Sequence, residues 1–330
     1  MNLKFCLLNA ENLFLLFDHP LPSNYLKMEE KQWTKLSTSI YPNKDLRKTI
    51  ELARTLTQVD ADIVMLAEVG GLESLKNFNR MFLNSKYSEI LVEGNSDRNI
   101  DVGFLIKKPV EFYFDLLSHK NRDLKFLYSH EKTSADTNYP PQAVIHRFSR
   151  DCAELRLFKS DINHPFLIIL LTHLKSPLDP EKIDPHGTER RTAELKTCIE
   201  IYKELRQEFK TCPIMFCGDF NGNASRNETD KEFIRLYQET DLEDVLQVAQ
   251  VENEKRATYL QIRPSQKTDS RQIDYCFLSK ELHSSVKPKS AQVFLYKDEF
   301  GSDLLKPATL EQKLALPSDH YAIVFTLENL

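Results

Sequence analysis

Hydrophobic residues in this chain are concentrated in short runs that are separated by polar stretches. Eight runs are rich in Ile, Val, Leu, Phe and Tyr and have the length of a buried β-strand. They predict strands at residues 3–9, 62–67, 101–107, 153–158, 166–172, 213–218, 273–278 and 321–327.

Helical periodicity occurs between these runs. Leu46, Ile50, Ala53 and Leu56 recur at the spacing of one helix face. Because strands alternate with helices, the pattern favours an α/β or α+β layered fold. We find no repeat and no Gly/Ser linker, so we expect one domain over residues 1–330. Predicted helices cover residues 45–58, 72–84, 188–210 and 230–239, with Asp230 or Thr229 as the N-cap of the last.

Composition narrows the class of protein. Hydrophobic residues make up 41% of the chain and charged residues 28%, which is ordinary for a globular protein. The net charge of −5 argues against a strongly basic nucleic-acid surface, although a local basic patch stays open. The six cysteines form no C-x-x-C pair, so we expect free buried thiols.

The apolar runs also bear on location. The N-terminus lacks the features of a signal peptide, and the densest run, FLIILL at 166–171, is too short to span a membrane. We therefore expect a soluble, cytoplasmic protein, while export that needs no N-terminal signal stays open.

Several polar residues stand at strand ends. A single carboxylate there is usually a turn or cap residue. A set of them can line one crevice, because strand ends on one side of an α/β sheet meet there. Carboxylate and amide oxygens suit Mg²⁺, and a His–Asp pair suits proton transfer. Together they predict hydrolysis of a phosphate ester. The residues are Asn9, Glu68, His173, Asp219, Asn221, Asp274, Asp319 and His320.

The stretch CGDFNGN at 217–223 shows the pattern most clearly. Asp219 and Asn221 flank Phe220 directly after an apolar run. If the backbone stayed extended, both polar side chains would point to one side and Phe220 to the other.

At these positions the chain resembles the endonuclease/exonuclease/phosphatase superfamily, which shares the deoxyribonuclease-I-like fold. The motifs occur in the family's order from residue 7 to residue 324. They are LLNAENLF (7–14), DIVMLAEVGG (62–71), RNIDVGFL (98–105), LLTHLKSP (170–177), FCGDFNGNAS (216–225), QIDYCFLS (272–279) and SDHYAIV (318–324).

The resemblance implies a four-layer sandwich of two packed mixed β-sheets with helices on both outer faces. It also implies a Mg²⁺-dependent phosphodiesterase, for which Mn²⁺ could substitute. By matching motif positions, Glu68 would be the principal metal ligand, with help from Asn9 and Asp319. Asp219 would orient or deprotonate the attacking water, and Asn221 would hold a phosphate oxygen.

The remaining roles are implied in the same way. His320 would be the essential histidine with Asp274 as its carboxylate partner, and His173 would assist at the scissile phosphate. Asp101 is a candidate partner for His173. Motifs around residues 98, 150 and 190 resemble a bacterial branch of the superfamily. They suggest an electrostatic clamp on the phosphate, whose candidates are Arg98, Arg150, Lys175 and Arg190.

Departures from the family pattern also occur. Leu8 precedes Asn9 where the family often has Trp, and Ala67 precedes Glu68 where Gln is frequent.

The substrate is left open by the sequence. A nucleic acid, DNA or RNA, is favoured, and the interleaved basic and aromatic residues of HKNRDLKFLY at 119–128 support it weakly. The alternatives are a lipid or small headgroup substrate, such as a phosphoinositide or sphingomyelin, and a binding scaffold without activity. Endo- or exonucleolytic cutting, the number of metals and the oligomeric state stay open. Trp33 is expected either to pack its loop or to contact a base or lipid.

Overall fold

The computed structural model describes residues 1–133, 144–180, 182–262 and 268–330. Its strands are β1 (Leu3–Leu13), β2 (Ile63–Val69), β3 (Tyr87–Ile90), β4 (Asp101–Lys107), β5 (Tyr113–Ser118), β6 (Cys152–Phe158), β7 (Leu167–His173), β8 (Ile214–Asp219), β9 (Glu243–Asp244), β10 (Tyr259–Ile262), β11 (Thr268–Arg271), β12 (Asp274–Leu278), β13 (Gln292–Phe294) and β14 (Ala322–Leu327). Its α-helices are α1 (Glu30–Trp33), α2 (Leu46–Val59), α3 (Gly71–Phe82), α4 (Ser129–Thr133), α5 (Thr188–Glu208), α6 (Ile234–Glu239), α7 (Val245–Val248) and α8 (Leu310–Leu314).

Twelve of the strands in the described residues form two mixed six-stranded sheets. The first has the order β13-β14-β1-β2-β4-β3, and the second has the order β5-β6-β7-β8-β12-β9. In each sheet one central pair is parallel, β1 with β2 and β7 with β8. β10 and β11 form a separate hairpin.

Alternation along the strands produces the layers. Phe5 and Leu7 of β1 face the second sheet, while Cys6 and Leu8 face the helices. The three largest buried clusters of the described residues follow these layers: one between the sheets, one under α2 and α3, and one under α5 and α6. The predicted four-layer sandwich is therefore confirmed.

The eight predicted strands and four predicted helices all occur, with ends shifted by a few residues. Residues 230–239 begin with a short 3₁₀ turn, Lys231–Phe233, before α6. Asp230 occupies the N-cap position, but its carboxylate accepts from the Asn223 N–H instead of capping.

The six cysteines are free and buried, as expected. Trp33 is fully buried and donates to the Lys44 carbonyl, so its role is packing.

Candidate active site

Strand register in the second sheet aligns three of the predicted residues. Asp219, the last residue of β8, lies opposite His173 on parallel β7 and opposite Asp274 on antiparallel β12. All three side chains are at least 98% buried at the sheet edge, with relative exposures of 2%, 2% and 1%. The register alone therefore forms a row of His, Asp and Asp.

The first sheet reaches the same region through irregular backbone. Asn9 lies next to Ala67 in the β1–β2 pair, and the register shifts directly after it. Glu68 has a φ of 59° at a second register shift, between β2 and β4. Such bulges redirect a side chain out of the strand alternation. The Glu68 carboxylate accepts a 3.0 Å hydrogen bond from the Asn12 N–H.

His320 connects the two sheets. Its Nδ1 lies 2.8 Å from Asp274 Oδ2, across 46 residues of sequence. Ser318 holds the segment by accepting from the His320 N–H and donating to the Asn9 carbonyl. The Tyr296 hydroxyl donates to the His320 carbonyl at 2.5 Å. The imidazole is thereby fixed with its Nδ1 toward Asp274.

The carboxylate of Asp219 is at the centre of this group. Its Oδ2 accepts from Asn9 Nδ2 at 3.0 Å and lies 3.6 Å from His173 Nε2 and 3.9 Å from His320 Nε2. Burial, together with the nearby carboxylate of Asp274, raises the pKa of Asp219 to about 7. Asp219 can therefore exchange a proton near neutral pH.

The two histidines differ in charge. Burial, reinforced by the Arg150 guanidinium, lowers the pKa of His173 well below its usual value, so His173 is neutral at pH 7. Burial also opposes protonation of His320, but Asp274, Asp219 and Asp319 outweigh it and raise the pKa of His320. His320 is therefore the cationic histidine of the pair.

These groups border one large cavity of about 1040 Å³. Its lining includes six of the eight predicted strand-end residues, whereas the other two, Asn9 and Asp274, lie behind it and support Asp219 and His320. The six are Glu68, His173, Asp219, Asn221, Asp319 and His320.

Asn221 reaches the cavity in another way than expected. The extended geometry predicted for residues 219–221 is wrong, because Asn221 has a φ of 52°. Its N–H donates to Asp219 Oδ1 at 2.8 Å, and its side-chain amide donates to the Leu174 carbonyl. A tight turn therefore places Asp219 and Asn221 together, while Phe220 enters the core as predicted.

Two of the predicted clamp residues lie near the site. Arg98 lines the cavity, and its guanidinium donates to Asn12 Oδ1 at 2.7 Å. Arg150 is 5% exposed, and its Nε has no hydrogen-bond partner in the described part of the chain. Burial lowers the pKa of Arg150, while the carboxylates of Glu194 and Glu68 act in the opposite direction. Its neighbourhood therefore suits an additional anion.

Three other predicted residues have partners elsewhere. Asp101 accepts from the Gly94 N–H at 2.7 Å and does not pair with His173, since β4 aligns it with Val69 instead of Glu68. Lys175 donates to the Leu178 carbonyl, and Arg190 donates to the Arg147 carbonyl. None of the three lines the cavity, so we leave them out of the proposed phosphate site.

The basic and aromatic stretch at 119–128 also lies outside the cavity lining. Arg122 pairs with Glu204, and Phe126 and Tyr128 pack against His146. These contacts tie part of the stretch to the fold, and its role in nucleic-acid binding stays a prediction. Three further histidines have fixed partners: His119 pairs with Glu154, His146 with Glu131 and His283 with the Leu278 carbonyl.

The cavity also contains residues that the sequence analysis missed. Asn12, His186 and Tyr259 line it. Behind it, the hydroxyl of Thr258 accepts from the Ile273 and Asp274 N–H groups, both at 3.1 Å. Only Asn12 lies in a quoted motif, and no spacing signal links the others to the site.

A divalent metal fits the Glu68 carboxylate better than the group of Asp219, Asp274 and His320. Asp219, Asp274 and His320 have potential ligand atoms within 4.8 Å of one another. However, the 2.8 Å pair between His320 and Asp274 already occupies two of those groups. The Glu68 carboxylate faces the cavity with Oε1 4.0 Å from His173, and its hard oxygens suit Mg²⁺.

No protein-family model matches this sequence, and no sequence relative matches it among curated proteins. Solved structures do match its fold. The structure of D. rerio TDP2 with a single-strand DNA product is 15% identical, with a TM-score of 0.58 and coverage of 99% of both chains.

Two further structures give the same result. The human Nocturnin catalytic domain with a bound sulfate anion is 15% identical, with a TM-score of 0.57 and coverage of 98% of this chain and 93% of that chain. An endonuclease/exonuclease/phosphatase family protein from Bacteroides thetaiotaomicron is 18% identical, with a TM-score of 0.56 and coverage of 99% and 95%. The chain therefore has the endonuclease/exonuclease/phosphatase fold.

No helix in the described residues is both long and apolar enough to cross a membrane.

Proposed function

We propose that this protein is a Mg²⁺-dependent phosphodiester hydrolase that acts on nucleic acid. One observation carries the proposal: a buried row of His173, Asp219 and Asp274 meets the cation of His320 at one cavity. A row of paired acid, base and cation is the equipment that phosphate-ester hydrolysis requires.

The residues divide the reaction between them. Asp219, whose pKa is about 7, orients the attacking water and accepts its proton. His320, held cationic by Asp274, directs Nε2 at a phosphate oxygen and offsets charge that develops there. Neutral His173, 3.6 Å from Asp219, acts as a hydrogen-bond donor beside the scissile phosphate.

Other groups hold the substrate and metal. Arg98, Arg150 and Asn221 bind the non-reacting phosphate oxygens. Arg98 and Asn221 line the cavity, and Arg150, which does not line it, is buried with an Nε that has no hydrogen-bond partner in the described residues. Glu68 is the principal metal ligand. Asn9 assists Glu68, because it pairs with Ala67, the residue directly before Glu68. The bound Mg²⁺ would supply Lewis-acid stabilisation of the phosphate, and Mn²⁺ would substitute.

Nucleic acid is the favoured substrate class because the cavity is large enough for several nucleotide groups and the matched TDP2 structure contains single-strand DNA product. The segment 119–128 lies outside the cavity lining, so the choice does not rest on it. A lipid or small headgroup substrate, such as a phosphoinositide or sphingomyelin, is the competing class.

The test uses purified protein with supercoiled plasmid, linear single-stranded DNA and RNA in Mg²⁺. Samples with EDTA and with Asp219→Ala serve as negatives, and Asp161→Ala is the matched control because Asp161 is an exposed surface carboxylate. We expect cleavage of at least one nucleic acid that both negatives lose and the control retains.

Plasmid nicking would indicate endonuclease action, whereas cleavage only from the ends of linear substrates would indicate exonuclease action. Hydrolysis of phosphoinositide or sphingomyelin headgroups without any nucleic-acid cleavage would show that the substrate class is wrong. Inactivity on every one of these substrates would contradict the hydrolase proposal itself.

A further inference from the structure

A buried lysine lies beside His320 on the segment that precedes β14. Lys313, on α8, is only 9% exposed. A capping box between Thr309 and Gln312 fixes the start of that helix. Burial of an ammonium group is unfavourable unless partners compensate it, so the partners of Lys313 indicate its role.

The ammonium group contacts two residues. Its Nζ lies 3.4 Å from Asp319 Oδ2 and 4.1 Å from the centre of the Tyr259 ring. The second distance is within the range of a cation–π interaction. Both partners are neighbours of the His320 imidazole: Asp319 Oδ1 is 3.8 Å from Nε2, and the Tyr259 ring centre is 5.0 Å from the imidazole centre.

Asp319 therefore lies between two cations, Lys313 and His320. Loss of the lysine charge would leave the attraction of the imidazolium less opposed, and a shift of about 1 Å would bring Asp319 into hydrogen-bond distance of Nε2. Nε2 is the nitrogen that the proposed mechanism directs at the phosphate. Tyr259 would lose the cation on its ring face at the same time.

We infer that Lys313 is a positioning residue that holds Asp319 and Tyr259 so that His320 Nε2 stays available to the substrate phosphate. Lys313 itself does not contact the reacting atoms. This role rests on the proposed function and adds to it a residue that lies outside every motif quoted above.

The first test compares kinetics. Lys313→Met should lower kcat about tenfold and change KM less than about twofold, because the lost interaction matters to His320 rather than to substrate binding. Lys313→Arg should restore most of kcat, since a guanidinium keeps the charge and the ring contact. Lys313→Gln serves if the Met variant does not fold.

Lys297 offers a matched control. It also pairs with a carboxylate, Asp303, and its Nζ lies 5.5 Å from the ring of Phe294, but neither of these partners lines the cavity, whereas Asp319 and Tyr259 do. Lys297→Met should therefore leave kcat and KM unchanged. An equal loss in both variants would overturn the inference, because it would point to a general effect of removing a lysine charge.

A double-mutant cycle separates positioning from general stabilisation. In an Asp319→Asn background, Lys313→Met should cost less than about twofold in kcat, since its partner is already neutral. Full additivity of the two losses would overturn the inference, and so would wild-type kcat in Lys313→Met.

A structural readout needs no activity. In metal-free protein with ¹⁵N-labelled histidine, His320→Gln assigns the His320 signals. Lys313→Met should shift those signals and Lys297→Met should not. Unchanged His320 signals in Lys313→Met would overturn the inference. If the wild-type protein hydrolysed no phosphodiester, the proposed function would fail, and this spectrum would still decide the position of His320.

Discussion

The two sheets reach the cavity by different constructions. In the second sheet, regular pairing of β7, β8 and β12 places His173, Asp219 and Asp274 in one buried row. In the first sheet, the register shifts after Asn9 and again around Glu68, and Glu68 adopts a left-handed backbone conformation. Non-glycine residues in that conformation are strained and persist where the surrounding structure imposes them.

The difference suggests a division of work. The regular row is buried, and burial shifts the pKa of His173 and the pKa of Asp219 within it, as is typical of groups that exchange protons. The irregular side is more exposed, and the Glu68 side chain, at 14% exposure, is accessible to a cation from the cavity. We therefore expect the second sheet to supply chemistry and the first sheet to supply metal binding, and the following experiments test that division.

The largest effect on kcat is expected at His320, which contacts Asp274 of the second sheet and is held next to Asn9 of the first sheet by Ser318. His320→Ala should lower kcat about 10²- to 10⁴-fold, the usual contribution of a proton-transfer or charge-stabilising group. Steady-state kinetics on the cleaved nucleic acid would measure it. His164→Ala is the control, because His164 also pairs with an aspartate but is exposed. More than half of wild-type kcat in His320→Ala would remove His320 from the mechanism.

Asp219→Asn should stabilise the metal-free protein at pH 8. The folded pKa of about 7 exceeds the unfolded value of 3.8, so ionisation costs stability that accumulates between these two values and is constant above them. The gain in unfolding free energy should be on the order of a few kcal/mol. It is reduced because the amide has only one oxygen and loses one of the two hydrogen bonds that Asp219 accepts from Asn9 and Asn221.

Melting temperatures at pH 4 and pH 8 would measure this effect. The difference between Asp219→Asn and wild type should be largest at pH 8 and should shrink toward pH 4. If Asp219→Asn raised the melting temperature equally at both pH values, burial would not destabilise the ionised Asp219 carboxylate. Asp161→Asn, at an exposed site, serves as the control.

Glu68→Gln should mainly raise the Mg²⁺ concentration required for half-maximal activity. Loss of one charged oxygen ligand should cost about tenfold or more in apparent metal affinity, while the melting temperature without metal should change little. A metal titration of cleavage rate measures it, with Glu73→Gln on the exposed face of α3 as the control. An unchanged titration midpoint would contradict the assignment of metal binding to the first sheet.

Asn12→Ala should have the smallest effect. The Asn12 side-chain oxygen accepts from the Arg98 guanidinium at 2.7 Å, whereas its backbone N–H donates to Glu68 at 3.0 Å and is retained in the variant. Loss of the side-chain oxygen should raise KM about threefold to tenfold by releasing Arg98, with kcat nearly preserved. A fall in kcat at constant KM would instead place Asn12 with the catalytic row.

The sequence by itself determined the central strands, the four longest helices and most of the polar side chains that meet at the cavity. Central strands are covered on both faces, so they appear as continuous apolar runs, and their ends are marked by residues such as Asp219 and His173. The edge strands β3, β5, β9 and β13 and the hairpin of β10 and β11 were missed. Edge strands need no burial on both faces, so their composition does not mark them.

Tertiary structure decided which charged residues belong to the site. Asp101 follows a strand-end pattern like that of Glu68, but the bulge of β2 aligns it with Val69, and it binds a backbone N–H instead of His173. Lys313 lies in a polar stretch with no motif, and only the packing of α8 places it against Tyr259 and Asp319. Local pattern records burial and periodicity, whereas register, bulges and loop packing depend on contacts between residues that are far apart in the chain.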